Sequence, residues 1–204
     1  MRLGIFGGTF DPVHYGHLLL AECCREQARL DEVWFMPAAT PPHKIDRAPT
    51  PADKRIEMLD LAIGGHEAFR VSRIEINRGG VSYTVDTLAA VGEAQPGAEL
   101  FFLLGGDSLD EFTTWREPGR ICELATPLVV GRAQSPEPNY DALSKLVGHE
   151  RTKAIRLQQV QMPQIELSSS DLRRRVGEGL SIRYRTPRAV EKYIESAGLY
   201  RASG

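Results

Sequence analysis

Apolar residues along the chain fall into short runs that alternate with stretches of helical spacing. Residues 2–6 read as a first strand, ended by Gly7-Gly8, and residues 7–14 as a loop. From 16 to 30, Leu18, Leu19, Ala21, Cys23 and Ala28 predict a helix with one buried side. Residues 33–36 are a second strand closed by Pro37, and the proline-rich stretch 37–51 predicts no regular structure. Ile56, Leu59 and Ile63 space at three and four, so residues 51–63 are a helix with Pro51 in its first turn and Gly64-Gly65 beyond its end. Alternation over residues 71–76 predicts a strand, and residues 83–91 a helix that Thr84 can cap.

Residues 99–104 form a strongly apolar strand stopped by Gly105-Gly106-Asp107. A short helix over 117–124, a strand over 128–130, a loop over 132–139, a helix over 140–147 and a strand over 155–161 follow. Residues 168–176 open a helix, and 187–196 are the last one. The mostly strand-helix-strand order predicts an α/β fold, a doubly wound parallel sheet with helices on both faces. In such sheets ligands bind beyond the carboxyl ends of the strands. Residues 1–204 read as one domain with a helical portion over about 168–200.

Composition changes this picture little. The chain is 42% hydrophobic and 25% charged, and its formal charge of -2 advertises neither a nucleic-acid nor a membrane partner. Met1-Arg2 runs directly into the first strand, which argues against a cleaved leader, and runs such as 101–104 are too short to span a bilayer. The expectation is a soluble, cytoplasmic protein. Cys23, Cys24 and Cys122 form no C-x-x-C and read as free thiols.

Four stretches carry candidate chemistry. "GGTFDPVHYGHL", residues 7–18, leaves the first strand and enters the first helix, where a nucleotide phosphate would sit. Gly7 and Gly8 permit unusual backbone angles and a close ligand approach, and backbone N–H groups around Gly8, Thr9 and Phe10 could face an anion. His14 and His17 stand at i and i+3, so both imidazoles leave one side of the helix start, where two donors can hold phosphate oxygens as charge builds. A metal site of Asp11, His14 and His17 is the rival, and histidines that merely cap and fill are the plain alternative. Neither a P-loop nor a dinucleotide fingerprint occurs.

"PPHK", residues 41–44, presents Lys44 on a stiff loop after the second strand, where it could neutralise phosphate oxygens or simply be solvated. "SYTVDTL" and "GGDSLDEFTTWRE" supply Thr84 at a helix start and Asp107 at a strand end, where it could accept from ribose hydroxyls. Trp115 is either a stacking platform for a flat ring or a partly buried core aromatic. "LSSSDLRRRV", residues 167–176, combines a helix start, hydroxyls and Arg173 into an anion cradle, with a capped helix bearing a solvated basic face as the alternative.

These pieces, in this order, resemble the bacterial nicotinate-nucleotide adenylyltransferases of the nucleotidylyltransferase superfamily. The similarity covers nearly the whole chain and extends to the tail "SIRYRTPRAVEKYIESAGLY". The resemblance implies a Rossmann-like fold and adenylyl transfer from ATP to nicotinate mononucleotide, with Mg²⁺, in NAD biosynthesis. By motif, it implies that His14 and His17 hold ATP phosphates, with His17 at the α-phosphate, and that Lys44 helps neutralise them. Ser168, Ser169 and Arg173 would hold the leaving pyrophosphate, and Gly7, Gly8, Thr9, Phe10 and Asp107 would complete the ATP side. Thr84, Trp115 and Arg116 would take nicotinate mononucleotide along with Lys44, and no protein side chain would hold a metal. Ser168-Ser169-Ser170 replaces the family's S-S-T and keeps the hydroxyl, and Arg185-Thr186 stand where apolar residues are common. The same chemistry on nicotinamide mononucleotide or phosphopantetheine, and an inactive nucleotide-binding module, are the rival readings. Oligomeric state, a homo-oligomer included, is left open.

Overall fold

The computed structural model describes residues 1–41, 48–132 and 137–201. Its centre is a six-stranded parallel sheet of β1 (Arg2–Gly8), β2 (Glu32–Pro37), β3 (Phe69–Val71), β4 (Glu99–Gly105), β5 (Thr126–Arg132) and β6 (Val160–Met162). The spatial order is β3-β2-β1-β4-β5-β6. The chain winds outward from β1 to β3, returns to lay β4 against the other side of β1, and winds outward again. Strand order therefore reverses between β1 and β4. Their carboxyl ends, Gly7-Gly8 and Gly105, flank the crevice where doubly wound sheets bind ligands.

Both faces of the sheet are covered, so side chains of period two feed two cores. Leu3, Ile5, Leu100, Phe102 and Leu104 enter one, with Val85 and Leu88 of α4 (Thr84–Ala94). Phe6, Phe35, Phe101 and Leu103 enter the other, with α1 (Tyr15–Gln27) and α2 (Ala52–Ile63). Gly4 lies on the Phe6 side of β1, where the absence of a side chain lets Leu30 pack directly on it. A Cβ there would lie 2.7 Å from Leu30 Cδ1. Leu172 of α9 (Ser169–Gly177), Ile182, and Val190 and Ile194 of α10 (Arg188–Ser196) join this same core. The C-terminal portion is thus continuous with the core behind β1.

Three expectations change. The strand expected over 71–76 ends at Val71, and Ile74–Arg78 is a helix, α3. Val33 N–H donates to the Ala68 carbonyl, and period two brings the next such donors to Phe35 and then Pro37, which has no N–H. The ladder stops there. The strand expected over 155–161 shrinks to Val160–Met162, because α8 (His149–Leu157) continues with Thr152 and Ile155 buried three apart. Between β4 and α6 (Pro118–Leu124), a helix α5 (Gly106–Glu111) and a 3-10 turn over Phe112–Thr114 fill what had no assigned element, burying Leu109 and Phe112. The remaining helix, α7 (Asp141–Val147), begins one residue later than its spacing suggests.

Candidate active site

The loop from Gly7 to His14 decides the site. Neither glycine adopts a left-handed angle; Phe10 does, with φ of 49°. The glycines serve proximity instead. A Cβ on Gly8 would lie 2.8 Å from the Phe10 ring, whereas a Cβ on Gly7 would meet no atom within 4 Å. Space at Gly7 thus opens to the crevice. Phe10 then packs edge-on against Phe6 and against the His17 ring.

His14 caps α1, and its backbone N–H donates to Nδ1 of His17 at 3.2 Å. The two rings stack with centroids 3.7 Å apart. Because Nδ1 of His17 accepts, the proton of the neutral ring sits on Nε2, as a donor. Burial holds His14 down to about 4, so its imidazole is neutral at physiological pH. Its Nδ1 is buried without a hydrogen-bond partner. Gly16, between the two histidines, leaves room for that ring, since a Cβ there would approach it to 3.0 Å.

The N-terminus of α9 faces the same cleft, which His14, His17, Ser168, Ser169, Ser170 and Arg173 line. Ser168 caps α9 by accepting from the Asp171 N–H at 3.2 Å. Ser169 Oγ donates to the Pro12 carbonyl at 2.9 Å, and Arg173 Nη1 donates to the Asp11 carbonyl at 2.6 Å. Arg173 keeps further donors beyond that one. Two helix N-termini, imidazoles, hydroxyls and a guanidinium converge, and among the described residues no carboxylate lines the cleft. Such a donor set suits an anion. The rival metal site is not assembled, because the Asp11 carboxylate is taken by the Tyr200 hydroxyl at 2.6 Å and the Thr50 N–H at 3.2 Å. Among the described residues no three His, Cys, Asp or Glu side chains cluster as metal ligands.

A second cavity of about 240 Å³ lies on the other side of the loop, lined by Gly7, Gly8 and Thr9, by Ser82, Tyr83 and Thr84, and by Phe102, Trp115 and Arg116. Thr84 is the first residue of α4 and Tyr83 its cap, with no side-chain capping bond, so Thr84 does not cap as expected. The first-turn N–H groups have no partner within the helix. Trp115 is half-buried and packs on Phe102 and Phe112 with centroids 5.7 and 5.5 Å away, so it is both a cavity wall and a core edge. Arg116 lies over the Tyr83 ring and pairs with Asp86 and Glu117. Asp107 is exposed on the first turn of α5 and lines neither cleft. Lys44 lies outside the described residues.

Two buried charged groups beside the site, Arg55 and Glu75, are absent from the sequence reading. Arg55 is 1% exposed and donates to the carbonyls of Thr9, Ala38 and Thr50, tying the β1 loop to the end of β2. Glu75 lines the second cavity and accepts from the Thr87 hydroxyl at 2.7 Å, and burial pushes its carboxyl above the usual range. An arginine among the apolar positions Ile56, Met58 and Leu59 of an amphipathic helix was the available signal for the first. Glu75 gave none, because its element was read as a strand.

The sequence profile of the cytidylyltransferase-like family matches residues 5–175. A protein of Thermomicrobium roseum named "probable nicotinate-nucleotide adenylyltransferase" is 46% identical over 200 residues, covering 98% of this chain and 92% of that protein. One of the same name from Thermus thermophilus is 44% identical over 201 residues, covering 98% and 100%. Among solved structures, Plasmodium falciparum nicotinic acid mononucleotide adenylyltransferase complexed with NaAD superposes with a TM-score of 0.76 over 98% of this chain and 97% of that one. At 18% identity it supports the Rossmann-like fold alone. With the profile spanning most of the chain and relatives above 40% identity along its full length, the chain belongs to the cytidylyltransferase-like family and, within it, to the nicotinate-nucleotide adenylyltransferases.

Proposed function

We propose that the protein transfers the adenylyl group of ATP to nicotinate mononucleotide, giving deamido-NAD and pyrophosphate. The observation that carries this reading is one loop, Gly7 to His14, standing between an anion cleft and a cavity with an aromatic wall. A phosphate oxygen of the mononucleotide attacks the α-phosphorus of ATP. The bond from that phosphorus to its bridging oxygen breaks, and pyrophosphate leaves. The nucleophile is already an anion, so positioning and charge neutralisation suffice. His17 Nε2–H and His14 hold the α-phosphate side, while Ser168, Ser169 and Arg173 hold the leaving group, with Lys44 adding charge. For Ser169, whose hydroxyl is engaged by the Pro12 carbonyl, the backbone N–H at the start of α9 is the donor to hand. Gly7, Gly8, Thr9 and Phe10 let the nucleotide lie close to β1.

The nicotinate ring stacks on Trp115. Its carboxylate meets N–H groups at Thr84 and beside Arg116, where a carboxamide would bring donors against donors. Mg²⁺ would come as part of the ATP substrate and would supply charge neutralisation at its phosphates, since the described lining of the cleft offers hydrogen-bond donors and a guanidinium rather than carboxylates. We place the reaction in the cytoplasm. The test is pyrophosphate release from ATP with nicotinate mononucleotide beside the nicotinamide form. Release well above the nicotinamide rate is expected, and no release with either overturns the reading.

A further inference from the structure

The loop that carries the histidines is held from behind by the last part of the chain. Three consecutive carbonyls are engaged: Asp11 by Arg173, Pro12 by Ser169, and Val13 by the Thr186 hydroxyl at 2.8 Å. The carboxylate of Asp11, 6% exposed, adds two bonds. Its Oδ1 accepts from the Tyr200 hydroxyl at 2.6 Å, and its Oδ2 from the Thr50 N–H at 3.2 Å. Asp11 is therefore a junction between the chain's end, the return of the proline-rich loop, and the Arg173 guanidinium that borders the anion cleft.

We propose that Tyr200 is a positioning residue for adenylyl transfer, holding Asp11 so that Arg173, His14 and His17 present their donors to the triphosphate. It touches no substrate; it acts through Asp11. The phenol stays protonated, because burial and the adjacent carboxylate push it far above its ordinary value, so it remains a donor at any working pH. The hydroxyl, which also lies 3.9 Å from Met58 Sδ, is a single atom whose removal leaves the ring packed against the core. With it gone, Asp11 keeps its charge but loses its shortest partner. The loop can then tilt, and the shared guanidinium with it. This inference rests on the ATP assignment of that cleft.

The experiment compares Tyr200→Phe with the unaltered chain in steady-state kinetics, together with calorimetric binding of a non-hydrolysable ATP analogue. The KM for ATP and the analogue Kd are expected to rise about tenfold, the worth of one charge-assisted hydrogen bond. The KM for nicotinate mononucleotide should stay within about twofold. Asp11→Asn should shift the same constants, and the double variant should be no worse than the poorer single one, as for residues acting through one contact. Should Tyr200→Phe fail to accumulate folded, Asp11→Asn reads the same junction from its other end. Unchanged ATP constants, equal rises for both substrates, or additive losses in the double variant would overturn the proposal. Failure of the unaltered chain to release pyrophosphate would instead defeat the functional reading, while analogue binding would still report on the Tyr200–Asp11 contact.

Discussion

At His14 the backbone N–H donates to His17 Nδ1, while its own Nδ1 lies buried without a partner. The two histidines are equivalent in the sequence pattern and unlike in place. His17 presents a protonated Nε2, so His17→Ala should lower kcat by about 10²–10³, the usual cost of losing one donor to developing charge. Steady-state kinetics checks this, and a matching loss in mononucleotide binding would contradict it. His14 is held at about 4 against an ordinary 6.5. Below 6.5 the unfolded chain takes a proton that the folded one refuses, so stability is complete above that value and falls as pH drops toward 4. Between about pH 7 and pH 5 this group should cost roughly 2 kcal/mol. Urea unfolding of the chain beside His14→Asn, a polar residue well suited to a helix start, measures it. Equal pH slopes would rule the effect out. The sequence made both histidines visible through H-x-G-H. Which of them is desolvated depends on packing against residues far along the chain.

The element that sequence reading placed wrongly is the one that fixes the second cavity. Ile74–Arg78 alternates apolar and polar residues like a strand, yet it coils, and Glu75 turns inward toward α4. There the Thr87 hydroxyl donates to Glu75 and accepts from Arg78 at 3.2 Å, which anchors the helix whose first turn is Thr84. Thr87→Val is isosteric but leaves a buried carboxylate short of a donor. It should destabilise the fold by about 1–3 kcal/mol and raise the KM for nicotinate mononucleotide, with Thr87→Ser restoring both. Denaturant midpoints and kinetics would show it, and a variant as stable as the parent would exclude this anchoring role. Propensity over five residues cannot reveal such a helix, because a partner nine to twelve residues away decides it. The helices read well, α2 and α10 above all, have enough turns for spacing to dominate.

At the scale of the whole molecule, the C-terminal portion shares the core behind β1 rather than standing apart. Ile194, 1% exposed, lies in the cluster that holds Phe6 and Val13. Ile194→Ala should cost about 2–5 kcal/mol and leave one unfolding transition, coincident by fluorescence and circular dichroism. Two separated transitions would mean that the C-terminal portion folds by itself. By itself the sequence determined the α/β class, most strands and long helices, and marked four stretches as candidate chemistry, because period, turn residues and helix starts are local properties. Tertiary structure alone decided the rest. It placed the switch point between β1 and β4, since strand order is a choice among long-range pairings. It committed Asp11 to Tyr200 rather than to a metal, buried Arg55 under the loop, and set Asp107 outside both clefts. Each of these depends on which distant group displaces water from a side chain, and spacing along the chain carries no record of that.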